Sequence, residues 1–137
     1  MKITYDINLM KFMTLFENIT RANLKDCFEL GDKLVFVVQP AQIGKAIGKN
    51  ASNIKRLEDK FKRKIRIIEF NPDVSKFVKN AIFPIRGEVN VEGEIVKIKS
   101  PDSKARGLLI GRSAQNLRTT EKIVQRFFKE IKEIKVE

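Results

Sequence analysis

Residues Ile47 to Arg56 read "IGKNASNIKR", and residues Ile110 to Thr119 read "IGRSAQNLRT". Gly48 and Gly111 are 63 positions apart, and that offset also superposes Gly44 on Gly107, Ile47 on Ile110, Ala51 on Ala114, Asn53 on Asn116 and Glu58 on Glu121. Lys49 meets Arg112, Ile54 meets Leu117 and Lys55 meets Arg118, so chemistry persists where identity does not. Chance supplies a few such matches in a basic, isoleucine-rich chain. An ungapped run of this density points to an internal repeat.

The flanking segments repeat in the same order. Leu9, Phe12, Met13, Phe16 and Ile19 recur at helical spacing, with Thr4 or Asp6 as the predicted N-cap. "DCFELGDKLVFVVQP" predicts two strands around the Gly31-Asp32 turn. "AQIGKAIG" is a short helix broken by Gly48, and Ala51 to Arg63 form a second with Ile54, Leu57 and Phe61 on one face. "KIRIIEF" closes the copy as a β-branched strand. After Asn71-Pro72 the order restarts. Val74, Phe77, Val78 and Ile82 make a helical stripe, strands flank Glu92-Gly93, and Pro101-Asp102-Ser103 caps the helix carrying "ARGLLIG". A longer helix from about Ala114 to Lys129 buries Leu117, Val124, Phe127 and Phe128, and "IKEIKVE" supplies a last strand. The expectation is an α+β chain of two units, 1–71 and 72–137, each helix–strand–strand–helix–turn–helix–strand. Units of about 65 residues are marginal alone, so the two are expected to pack together.

The 137-residue chain carries a net charge of +11 and a pI near 9.9. The excess is shared: 14 Lys+Arg face 8 Asp+Glu in residues 1–71, and 14 face 9 in residues 72–137. Such a surface attracts polyanions by counterion release, and nucleic acid leads as partner. A generally lysine-rich proteome is the alternative source of a basic pI. Histidine is absent and Cys27 is the single cysteine, so neither a histidine base nor a Cys–His pair exists. No enzyme, cofactor or metal is expected. No apolar run approaches the ~18–20 residues that span a bilayer. "MKITYDINLMKF" lacks the apolar centre of a signal peptide, and a cytoplasmic location with no membrane partner is expected.

A helix end, a glycine and a new helix aim backbone N–H groups and a partial positive charge at one spot, which suits a phosphate. Lys49 and Arg112 add full charge at the tip, and Lys55, Arg56 and Arg118 continue it. Each glycine read alone is equally a helix terminator. "GKAIGKN" is not a nucleotide-binding P-loop, since three residues rather than four separate its glycines and Asn50 stands where Ser or Thr must hold a cation. Nine Lys/Arg from Lys45 to Arg66 oppose only Glu58 and Asp59, which reads as a nucleic-acid track or a solvated helix face. Asn53 and Asn116 suit either base recognition or a local cap. Glu58 and Glu121 read as structural groups where the copies meet. Most of the ten phenylalanines fall on core stripes, which argues against an exposed aromatic platform.

At these residues the chain resembles K-homology (KH) domains, whose signature is Ile-Gly-x-x-Gly between two helices. The match is Ile47-Gly48-Lys49-Asn50-Ala51 with Ile54, and Ile110-Gly111-Arg112-Ser113-Ala114 with Leu117. The element order resembles the type II form, and the repeat covers nearly the whole chain. Two such units and little else resemble the archaeal NusA-like family of transcription termination and antitermination factors. The resemblance implies single-stranded RNA as ligand, a nascent transcript in particular, with RNA polymerase as a possible partner. It implies that Ile47, Gly48, Lys49, Asn50, Ala51, Asn53, Ile54, Lys55 and Arg56 contact RNA, together with Ile110, Gly111, Arg112, Ser113, Ala114, Asn116, Leu117 and Arg118. A polymerase adaptor with degenerate loops and an RNA-processing or ribosome-assembly factor are the alternatives on the same fold. Ala51 and Ala114 depart from the signature's second glycine; alanine suits a helical first turn but resists positive φ.

Overall fold

The structure is a computed structural model and describes residues 7–137. The predicted caps Thr4 and Asp6 lie outside the described residues. The chain divides into two compact units between Phe70 and Asn71.

In the first unit, α1 (Ile7–Thr20) precedes β1 (Leu24–Leu30) and β2 (Lys33–Val38). Helices α2 (Ile43–Ile47) and α3 (Ser52–Phe61) follow, then β3 (Lys64–Glu69). The second unit repeats this with α4 (Val74–Ile82), β4 (Glu88–Glu92), β5 (Ile95–Lys99), α5 (Ser103–Ile110), α6 (Gln115–Phe127) and β6 (Glu133–Val136). This is the tandem type II KH-like order.

Each sheet has three strands, β1-β2-β3 and β4-β5-β6. The tight turns at Gly31 and Gly93 allow only antiparallel neighbours, and β1/β2 and β4/β5 pair that way. The third strand returns parallel to the second, Leu34 opposite Ile65 in one unit and Val96 opposite Ile134 in the other. A parallel return needs a crossover, and the helix–loop–helix is that crossover. The loop lies between the two helices of each crossover, and Lys49, Asn50, Arg112 and Ser113 are exposed there.

Burial fixes the helices on either side of that loop. Phe16, Cys27, Leu34, Phe36, Val38, Ala46, Leu57 and Phe61 form the first core, with Ile65 and Ile67 packed against it. Phe16 stacks on Phe36 with ring centroids 4.2 Å apart, and Phe12 meets Phe61 at 5.0 Å. In the second unit Phe77 of α4 packs on Phe127 at 5.4 Å and on Phe128 at 5.7 Å, while Leu109, Ile123, Val124 and Ile134 are buried. Burying one of these large side chains contributes roughly 1.5–3 kcal/mol. Ala46 and Leu109 thus tie the first helix of each pair, and Leu57 and Val124 the second.

From the hairpins to the loops the copies keep register within one residue, and the larger drift comes after the loops. The offset is 62 residues at the hairpin glycines, 63 at the loops and 69 at the last strands. The change comes from a 13-residue α6 where α3 has 10 residues, and from a longer turn before β6. Two expectations need correction. Helix α3 starts at Ser52 rather than Ala51, for a backbone reason given below. Leu117 and Phe127 are half-buried rather than buried. Most phenylalanines are buried or half-buried as expected, and Phe83, which follows α4, is 74% exposed.

Candidate nucleic-acid interface

The two loops have the same backbone. Gly48 has φ 76° and ψ 170°, and Gly111 has φ 74° and ψ 176°. This region is almost closed to residues with a Cβ. The next two positions after the cation are both left-handed: Asn50 (φ 57°) and Ala51 (φ 59°), then Ser113 (φ 53°) and Ala114 (φ 60°). The expected helical first turn at the alanines does not form. A left-handed alanine costs roughly 1–2 kcal/mol, so the surrounding helices impose the conformation on a sequence that disfavours it.

The repeated asparagines explain how the loop is held. Asn53 Nδ2 donates to the Lys45 carbonyl at 3.1 Å, and Asn116 Nδ2 donates to the Leu108 carbonyl at 2.9 Å. Each carbonyl lies in the last turn of a helix and has no intrahelical donor to rely on. The asparagine therefore staples the second helix to the end of the first. Its side chain passes directly beneath the glycine: a Cβ at Gly48 would lie 2.9 Å from Asn53 Nδ2, and one at Gly111 would lie 2.6 Å from Asn116 Cγ. Glycine and asparagine act as one device. Both occur at the same spacing in both copies, and that repeated pair was the available signal for the brace.

The N-termini of α3 and α6 carry no side-chain cap, because the residue before each is alanine. Elsewhere the chain does cap. Asp73 Oδ1 accepts from Ser75 N at 2.9 Å and Lys76 N at 3.3 Å, and Asp102 Oδ1 accepts from Ala105 N at 2.7 Å. The Ser75 hydroxyl and the Lys76 amide hold Asp73 below the ordinary carboxylate value. Neither α3 nor α6 has an acidic residue in its first turn to offset the positive end of its dipole, which leaves that end available to an anion.

The cations divide into free and committed groups. Lys49, Lys55, Arg56 and Arg112 are exposed, and none has a carboxylate within ion-pair distance among the described residues. Arg118 is committed: its Nη1 lies 2.9 Å from Glu121 Oε1, and this bond and charge raise its pKa further. Glu121 is buried, and its Oε2 accepts from the Ile134 amide of β6 at 2.9 Å. Its partners thus belong to its own unit. Further along the expected track, Arg63 pairs with Glu29 at 3.0 Å. Arg66 alternates to the sheet face opposite Ile65 and Ile67, where burial lowers its pKa. The track is therefore shorter than the run of nine cations implies. Ile47, Ile54, Ile110 and Leu117 are half-buried beside the loops. Asn50 and Ser113 are exposed at the apices.

Among the described residues no cluster of His, Cys, Asp or Glu could hold a metal ion, and no helix is long and apolar enough to cross a membrane. A family model described as KH domain matches residues 13–103. The chain is similar to proteins named probable transcription termination protein NusA from several archaea. It is 41% identical over 88 residues to the one from Methanococcus vannielii, which covers 64% of this chain and 51% of that relative. It is 34% identical over 125 residues to the one from Methanocaldococcus jannaschii, covering 88% of this chain and 68% of the relative. The Halococcus morrhuae protein is 24% identical over 131 residues, covering 93% and 94%. The match thus spans about half the length of the first relative and nearly all of the third. The crystal structure of APE1850 shares the fold, with a TM-score of 0.77 at 22% identity over 97% of this chain and all of that one.

Proposed function

This chain belongs to the KH domain family and, within it, to the archaeal NusA-like proteins, and from that premise we propose that it binds single-stranded RNA through its two glycine loops during transcription. One observation carries the reading. Each loop places an uncapped helix N-terminus and an exposed cation, Lys49 or Arg112, at the apex of a crossover. Backbone amides and the cation would take a phosphate, and the half-buried Ile47, Ile54, Ile110 and Leu117 would border the bases. A KH loop engages about four nucleotides of backbone. The asparagine brace keeps the loop from having to order on binding, which lowers the entropic cost. No catalytic role is assigned. The ligand is proposed to be a nascent transcript met in the cytoplasm, with RNA polymerase as the candidate protein partner.

The test is fluorescence anisotropy with a labelled single-stranded RNA across a salt series. Lys49→Asp combined with Arg112→Asp should weaken binding and flatten the dependence of log K on log salt by about 0.7 per lost phosphate contact. Unchanged affinity and slope would remove the loops from RNA binding. Affinity for RNA polymerase with none for RNA at low salt would replace the reading with a protein adaptor.

A further inference from the structure

The two loops share a backbone but not a charge environment. Resting on the RNA-binding reading above, we infer that the first loop is the main phosphate-binding site and the second a subordinate one. From three residues before the glycine to eight after it, the first copy carries Lys45, Lys49, Lys55 and Arg56 with no acid. The matched stretch of the second copy carries Arg112 and Arg118. Lys45 is replaced by Leu108, which is 49% exposed, and Arg56 by Thr119.

Of the second pair, Arg118 is already engaged by the buried Glu121. A phosphate approaching it competes with a carboxylate held in place by the Ile134 amide. Glu58, the matched acid in the first copy, has no ion pair with Lys55 among the described residues. Farther down the second helix the balance narrows, since Lys122 stands where the first copy has Asp59. Over residues 45–63 and 108–126 the net charge is still +5 against +3. Lys104 and Arg106 of the second copy sit toward the opposite end of α5, the latter more than a turn from Gly111. Among the described residues, four cations without an ion pair therefore fall in the first stretch and a single one in the matched second stretch.

The experiment compares two sets in the full chain on single-stranded poly(U). Lys45→Gln/Lys49→Gln/Lys55→Gln should lose about 2 units of salt slope and weaken binding on the order of 100-fold near 0.1 M salt, at about 0.7 log units per contact and decade of salt. Arg112→Gln/Arg118→Gln should lose about 0.7 units and roughly 5-fold. Glu121→Gln, which retains a carbonyl oxygen for the Ile134 amide, releases Arg118 and should tighten binding by a few-fold. Equal losses from the two sets, or a larger loss from the second, overturn the inference while leaving RNA binding by the loops intact. No loss from either set overturns both.

Discussion

Substituting the four glycines of the two Gly-x-x-x-Gly segments should give opposite signs within one motif. Gly107 lies inside α5 at ordinary helical φ, and a Cβ there would meet nothing within 4 Å. Gly107→Ala should stabilise by about 0.5–1 kcal/mol through helix propensity. Gly111 has φ 74° and ψ 176°, and its Cβ would fall 2.6 Å from Asn116 Cγ and 2.7 Å from Nδ2. The backbone term costs of order 1–3 kcal/mol. Displacing Asn116 loses its bond to Leu108, worth a further ~1 kcal/mol. Gly111→Ala should therefore destabilise by roughly 2–4 kcal/mol. For a domain of this size 1 kcal/mol moves the midpoint by about 4–8 °C, so the second unit's transition should fall by at least ~8 °C. Thermal unfolding of the full chain by circular dichroism separates the two variants. Gly44→Ala and Gly48→Ala should reproduce the contrast in the first unit, where the obstructing atoms are Asn53 Nδ2 at 2.9 Å and Ser52 Oγ at 3.0 Å. If Gly111→Ala melts at or above Gly107→Ala, the glycine–asparagine device is not what holds the loop.

Ala51→Gly and Ala114→Gly should each raise stability slightly, by about 0.5 kcal/mol. Relief of the left-handed strain exceeds the entropy glycine adds to the unfolded chain, and the same melts report it. Asn116→Ala and Asn53→Ala should each cost about 1 kcal/mol in urea unfolding while the helix content of the folded state stays constant. Asp73 predicts an acid dependence. Its pKa is depressed in the folded state, so its contribution is fully present above the unfolded carboxylate value and is lost as pH falls through the lower folded one. The stability gap between wild type and Asp73→Asn, measured by urea unfolding across pH, should be constant near neutrality and shrink in acid. A gap that widens in acid would contradict the sign.

The repeat makes the order of the elements legible in the sequence. Two glycine turns with matched apolar stripes dictate two crossovers, and the β-branched runs dictate the strands they join. The loop's position was equally legible, because a glycine between two amphipathic helices can only be their junction. Its conformation was not. Nothing in the identity of Ala51 or Ala114 announces positive φ, since alanine prefers the right-handed helix and the junction between two packed helices overrides that preference. The fate of individual cations was also hidden. Arg118 and Lys55 occupy matched positions, yet Arg118 meets Glu121 because that acid is itself anchored to β6, a contact 13 residues away in sequence. Repetition draws attention to Asn53 and Asn116, and in the structure the amide nitrogen of each braces the loop while Oδ1 takes no part in that bond.

The proposal that single-stranded RNA is held by the backbone at the two glycine loops can be tested residue by residue. Titrating isotope-labelled protein with single-stranded RNA and following each backbone amide by NMR tests it most directly. The largest shifts are expected at Gly48 to Ile54 and Gly111 to Leu117, stronger and saturating earlier in the first loop. RNA binding with shifts confined to other surfaces, and silent amides at both loops, would contradict it.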